Sequence, residues 1–426
     1  MNLYLFNDEN SASTFGIGTY LKELTHAFQG SNIHVRIVHL HAACPEFKIV
    51  NMNETENWYI PKVRNDNMFS SSITKREDYF RNVVYLLRLN IIDTSNLVFH
   101  FNYNLCQTLV KGLKEVFHCK TVITIHYIIW QLELQGNLIR FHTLKSKPEN
   151  QKSSFEQMIF STDEYDSLLY KEVDCVIAFS QHTKKMISDE YQIDPNRIPV
   201  IPNGLKDFNV GLKTNKIVLR HKWRISENEF LILFAGRLHE VKGLTFLIDA
   251  FQKVLDRIPE SRLIIAGSGD LKSYLYACKS ICAKVTFTGL LEIMELHELY
   301  QIADVGVIPS LFETFGYVSV EMMMHELPIV FTATSGLNEV IDETCGIKVP
   351  LIEYPDKVEI NTDLLAEKIV YLLEHPKEAG EMGKNGRKRY IEHYSTGVFR
   401  NNMLRLYESL YDESEMNRTR ITVKDI

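Results

Sequence analysis

Short apolar runs alternate with helix-length amphipathic stretches along this chain, and they do so in two successive sets. The first set is 2–6, 34–40, 96–101, 121–126 and 175–179, with helical spacing of apolar residues over 79–89 and 105–116. Runs too short for a helix and bounded by turn residues read as strands buried on both faces. Strands that alternate with helices need parallel crossovers, so a doubly wound parallel sheet is expected. The stretch Ile198-Pro199-Val200-Ile201-Pro202-Asn203-Gly204-Leu205 then has a strand-like core closed by an Asn-Gly turn, which marks a boundary. A second set follows at 230–235, 262–266, 285–288, 305–309 and 328–331, with helices over 244–254 and 294–303. Helical patterns at 362–374, 379–394 and 398–411 complete the chain before a polar tail from Asp412. The expected domains are therefore 1–204, 205–395, and a helix over 396–426 that packs back on the first domain and frays at its end.

Composition narrows the setting. With 426 residues, 45% hydrophobic and 24% charged, the chain is too long for one core. A net charge of −7 with dispersed positive residues speaks against a nucleic-acid surface. The seven cysteines contain no C-x-x-C pair, and most lie in apolar runs as small hydrophobes. The opening apolar stretch breaks at Asn7-Asp8-Glu9-Asn10, with no basic leader segment, and no run approaches the roughly 18 residues of a membrane span. A cytoplasmic location is expected, with peripheral contact at the inner membrane face left open. Residues 135–157 are polar, and 145–152 lack any apolar period, so a mobile surface excursion is expected there.

Three patterns carry candidate chemistry. In Ser310-Leu311-Phe312-Glu313-Thr314-Phe315-Gly316-Tyr317-Val318-Ser319-Val320-Glu321, a glycine turn feeds a helix at the end of an expected strand. Free amides and the helix dipole favour an anion there. Glu313 and Glu321 flank that turn, and each carboxylate suits paired hydroxyls; a surface Glu plus a capping Glu is the bland alternative. The strand 230–235 ends in Gly236-Arg237-Leu238-His239-Glu240-Val241-Lys242-Gly243, whose Arg237 and Lys242 can neutralise a diphosphate, or simply form a solvated basic loop. In the first half, Phe15-Gly16-Ile17-Gly18 forms a glycine loop after the first strand, and His126 ends another strand.

Together the Glu313-x7-Glu321 pair, the Gly236-Arg237…Lys242-Gly243 block and Ile201-Pro202-Asn203-Gly204 resemble the signatures of family 4 glycosyltransferases. The resemblance is close over most of 198–345 and looser before it. It implies a GT-B enzyme, with two Rossmann-like domains facing across a cleft, that transfers a hexose-type sugar from a UDP- or GDP-sugar with retained configuration. It further implies that Arg237 and Lys242 bind the donor diphosphate, Glu321 the ribose and Glu313 the sugar hydroxyls. The amides of Phe315, Gly316, Tyr317 and Val318 would approach sugar and phosphates beside Gly236, and Thr288-Gly289-Leu290 would frame the base. Gly16 and Gly18 would lie under the donor phosphates or the acceptor, although Phe15 stands where the family doubles its glycine. His126 would touch the transferred sugar; Tyr127 replaces the Asp that usually follows it. Because Asp-x-Asp is absent from the sequence, no metal and no cofactor beyond the sugar nucleotide are expected. The acceptor, whether glycan, lipid-linked sugar, protein or peptide, is left open, as its expected reading loops 46–76 and 135–157 carry no diagnostic pattern. A sugar-nucleotide epimerase of the same fold and a non-catalytic nucleotide-sugar-binding subunit are the competing readings.

Overall fold

The computed structural model describes residues 1–8, 16–52, 54–62, 73–209 and 215–422. The chain divides into two compact units. The first joins Met1–Ile128, Ser154–Gly204 and the segment from Thr396 onward, and the second joins Ile129–Ser153 to Leu205–Ser395.

In the first unit seven strands form one sheet: β1 (Asn2–Asp8), β2 (His34–Ala42), β3 (Lys48–Met52), β4 (Thr55–Pro61), β5 (Leu97–Phe101), β6 (Cys119–Thr124) and β7 (Cys175–Ile177). Their order is β3-β4-β2-β1-β5-β6-β7, and only β3 runs antiparallel to its neighbour. Every residue of β1 is buried, which is why its centre, Leu3-Tyr4-Leu5-Phe6, is apolar without alternation. Phe6 stacks on Phe101 with centroids 4.7 Å apart and meets Phe99 edge-on at 5.7 Å; burying each such ring contributes roughly 1.5–3 kcal/mol. The helix Thr396–Thr422 belongs to this unit. Its Tyr407 hydroxyl lies 2.7 Å from His100 Nδ1, and Phe399 meets Tyr20 edge-on.

The second unit holds six parallel strands, β8 (Phe230–Ala235), β9 (Ser261–Ala266), β10 (Val285–Gly289), β11 (Val305–Ile308), β12 (Ile329–Thr332) and β13 (Gly346–Val349), in the order β10-β9-β8-β11-β12-β13. A small antiparallel hairpin, β14 (Leu351–Glu353) and β15 (Val358–Ile360), follows. Helix Leu244–Arg257 buries Leu244, Leu247, Ile248, Phe251 and Val254 against this sheet, the one-face spacing of an amphipathic helix.

The structure departs from the sequence reading at several points. The strands β3 and β4 sit where a loop was expected, because a half-exposed edge pair such as Lys48-Ile49-Val50-Asn51-Met52 lacks an apolar run. Residues 129–153 group with the second unit rather than with 1–204. They are no unstructured excursion: helices Ile129–Glu133 and Leu138–Lys145 form there, and the buried Phe141 stacks on Trp130 at 4.2 Å. Asn137 caps the second of these helices through Arg140 N and donates to the Tyr354 carbonyl at 2.7 Å. Gly16 and Gly18 lie in the first turn of helix Gly16–Ala27, not in a loop before it, while Phe15 is outside the described residues. The last helix runs from Thr396 to Thr422, into the polar stretch from Asp412. Among the described residues, no helix is long and apolar enough to cross a membrane.

Candidate active site

Parallel sheets bind ligands beyond the carboxyl ends of their strands, where the strand order reverses. In the second unit that point lies between β8 and β11, the strands from which the order runs outward in both directions. The loop after β8 carries Gly236 to Gly243, and the loop after β11 carries Pro309 to Gly316. Leu311 N donates to the Val241 carbonyl at 2.8 Å and so joins the two loops. Their approach requires glycine at 243, where φ is +66° and a Cβ would stand 1.8 Å from the Pro309 carbonyl oxygen.

That junction brings Lys242 and Glu313 together. Lys242 Nζ forms an ion pair with Glu313 Oε1, with side chains 19% and 14% exposed. Ser310 Oγ donates to the same carboxylate oxygen at 3.3 Å. Behind it, Ser335 Oγ and Gly336 N both donate to the Glu313 carbonyl, at 3.2 and 3.0 Å, and fix the turn from its far side. Gly316, with φ +87°, starts helix Tyr317–Met324, whose first amides have no intrahelical acceptor. A positively charged lysine, a carboxylate and a helix N-terminus thus share one edge. Within the helix, Glu321 Oε2 accepts the Tyr300 hydroxyl at 2.6 Å. Burial pushes the Glu321 carboxyl above the usual glutamate range, against the opposite pull of that hydrogen bond.

The neighbouring loops are interlocked too. Gly236 N donates to the Ala266 carbonyl, Leu238 N to the Ser268 carbonyl and Gly267 N to the Gly289 carbonyl, at 2.8–2.9 Å. Arg237 emerges exposed from this lattice, and among the described residues its side chain has no ion pair or hydrogen bond. Leu290 is exposed beside Thr288 and Gly289 at the end of β10. Phe315 is buried against Tyr317 and Tyr394, while the Val318 amide lies in the first helical turn.

In the first unit the strand order reverses between β1 and β5. Asn102 follows β5 directly, and its Nδ2 donates to the Phe6 carbonyl at 3.2 Å. That bond fixes the amide so that Oδ1 faces His126 Nε2 at 3.1 Å. The proton therefore sits on Nε2 and leaves Nδ1 as the acceptor nitrogen. Asn102 thus supplies the orienting partner that Tyr127 cannot, from a strand 24 positions earlier. Tyr20 and Phe179 hold the ring edge-on at 4.8 and 5.5 Å. No local sequence pattern marks Asn102, Tyr300 or Ser335 as site residues. Ser310 lies inside a recognisable motif.

Burial holds His126 and His100 down to about 3, and His297 and His325 to about 4 and about 3. Each is neutral when folded, whereas an unfolded histidine titrates near 6.5. Below that value the unfolded chain binds protons that the native chain refuses, so stability falls as pH drops from about 6.5 towards 3. A thermal midpoint that declines steadily between pH 7 and 4.5 is expected; a flat profile over that range contradicts the assignment.

Residues 15–207 match the family described as Glycosyltransferase Family 4, and residues 215–389 that described as Glycosyl transferases group 1. Together the two matches span most of the chain, and the fold is that of GT-B glycosyltransferases. Within that class the chain belongs to family 4, the group 1 glycosyltransferases. It is 36% identical over 198 residues to an uncharacterized glycosyltransferase of Methanocaldococcus jannaschii, covering 44% of this chain and 50% of that one. The chain spans about half the length of the curated relatives it matches. Its fold matches sucrose-phosphate synthase of Thermosynechococcus elongatus with a TM-score of 0.74 at 20% identity, covering 97% and 99% of the two chains. The Anabaena protein HepE, solved with UDP-glucose, matches with a TM-score of 0.69 at 15% identity over 96% and 100%.

Proposed function

We propose that this glycosyltransferase moves a hexose-type sugar from a UDP- or GDP-sugar to a hydroxyl of a glycan, lipid-linked, protein or peptide acceptor, with retained anomeric configuration and no metal. The observation that carries this reading is the Lys242–Glu313 pair set against the amino end of helix Tyr317–Met324. Breaking a sugar–phosphate bond puts negative charge on the departing diphosphate, and fixed cations and amides stabilise it without reorganising. Lys242 and Arg237 meet the diphosphate, Lys242 as a point charge and Arg237 as a bidentate fork. The amides from Phe315 to Val318 complete the anion site.

Glu313, anchored by Lys242 and Ser310, accepts from sugar hydroxyls, and Glu321 accepts from the ribose. Thr288, Gly289 and Leu290 frame the base next to Gly236. For the first unit the proposal assigns neutral His126 to the transferred sugar, and Gly16 and Gly18 to the donor phosphates or the acceptor. Retention then follows from attack on the face the leaving group vacates, with a departing phosphate oxygen taking the proton of the incoming hydroxyl. HepE's complex with UDP-glucose supports a nucleotide-sugar donor on this fold.

Donor turnover in excess chelator is expected to match that in added magnesium within about twofold, and the product anomer, read by proton coupling constants, to keep the donor's configuration. Strict dependence on a divalent ion, or an inverted product, contradicts the proposal. Donor incubated alone separates the competing chemistry, since an epimerase returns an altered sugar nucleotide and a transferase only slow hydrolysis.

A further inference from the structure

A carboxylate that selects a ribose must hold its oxygens still, yet the last torsion of a glutamate side chain is broad and soft. Glu321 stands on a short helix, Tyr317–Met324. Among the described residues, its only side-chain partner is Tyr300, which comes from the separate helix Ile293–Ile302. The Tyr300 hydroxyl donates to Oε2 at 2.6 Å, and the residue is 1% exposed.

The buried Tyr300 ring is contacted by two histidines. It stacks on His325 with centroids 5.8 Å apart at 23°, and His297 meets it edge-on at 5.8 Å. Those two histidines hydrogen-bond each other, Nδ1 to Nε2, at 2.6 Å, and Phe208 stacks on His297 at 4.5 Å. Burial pushes the Tyr300 phenol well above its ordinary value, so it keeps its proton and acts as donor.

We propose that Tyr300 is a positioning residue for nucleotide selection: it fixes Oε2 of Glu321 and thereby presents Oε1 to a ribose hydroxyl, so that the site prefers ribonucleotides to their deoxy forms. This rests on the reading of Glu321 as the ribose contact. A polar group built to pair with a hydroxyl rejects the analogue that lacks it, because the group is left unsatisfied. Pinning one oxygen in advance lowers the ordering cost of the other.

The test is calorimetric titration of the full chain with UDP and GDP and with their 2′,3′-dideoxy forms, using wild type, Tyr300→Phe and Glu321→Ala. Wild type is expected to bind the ribo form of its nucleotide about 10- to 100-fold more tightly than the dideoxy form. Tyr300→Phe is expected to lose most of that preference while binding the dideoxy form within about twofold of wild type, which also reports that it is folded. In donor turnover its defect is expected in KM, with kcat nearly unchanged.

If Tyr300→Phe keeps the wild-type preference while Glu321→Ala loses it, the ribose contact stands and the positioning role falls. Should Tyr300→Phe lose dideoxy binding as well, Tyr300 is a structural residue and the proposal is overturned. Retention of the preference by Glu321→Ala removes the ribose reading itself, and the positioning role with it.

Discussion

Lys242→Ala is expected to lower kcat/KM for donor hydrolysis by about 10²–10³-fold, the usual cost of removing one fixed charge-stabilising group from a leaving-group site. Two effects add. The departing diphosphate loses a cation, and Glu313, 14% exposed, loses the ion-pair partner that compensates its charge. Glu313→Gln tells the effects apart, since it removes the carboxylate charge and leaves Lys242 to the phosphate. Lys242→Arg keeps charge but replaces a compact ammonium with a planar fork, and only partial recovery is expected. Donor hydrolysis, which needs no acceptor but water, measures all three. A Lys242→Ala rate within threefold of wild type sinks the assignment.

Gly243→Ala is expected to damage the same site from the backbone. With φ at +66°, an L side chain there costs about 1–2 kcal/mol. The larger obstacle is the Pro309 carbonyl oxygen, 1.8 Å from the new Cβ. The two loops must part, which breaks the bond from Leu311 N to the Val241 carbonyl and moves Lys242 from Glu313. A total cost of about 3–5 kcal/mol is expected, which for a unit of this size lowers the melting midpoint by roughly 10 °C. Donor hydrolysis is expected to fall below about 1% of wild type, by the sum of misplaced charge and turn. Gly380→Ala is the matched control: that helical glycine has open space around its Cβ position, and the change is expected to be neutral or slightly stabilising. A scanning calorimetry trace in which Gly243→Ala melts within 2 °C of wild type contradicts this account of the loop junction.

The alternation of apolar runs and helices made both parallel sheets readable, because strands covered on both faces, such as Leu3-Tyr4-Leu5-Phe6, carry an unbroken apolar signal. Elements with one exposed face did not announce themselves. Strand β4 mixes buried Trp58 and Ile60 with more exposed Glu56 and Tyr59, and β3 is mostly exposed. Helix Leu138–Lys145 leaves Leu138 and Ile139 exposed and buries Phe141 on Trp130, a single inward ring that no local pattern reveals. The site shows the same divide. Lys242 and Glu313 stood out through glycine-bounded motifs at strand ends, and their pairing, 71 positions apart, follows from β8 and β11 being neighbours. Asn102 and Tyr300 lie outside those motifs, and each is hydrogen-bonded to a residue that the sequence does mark, His126 and Glu321. Only the tertiary register of β5 beside β6, and the packing of two helices, brings each partner into reach.

Titration of UDP- and GDP-sugars onto the full chain tests the central claim most directly, with Lys242→Ala and Glu321→Ala measured beside wild type. Saturable binding of one sugar nucleotide, slow hydrolysis of it, and at least tenfold weaker binding by both variants are the predicted results. The account is contradicted if no sugar nucleotide binds, or if both variants bind as tightly as wild type.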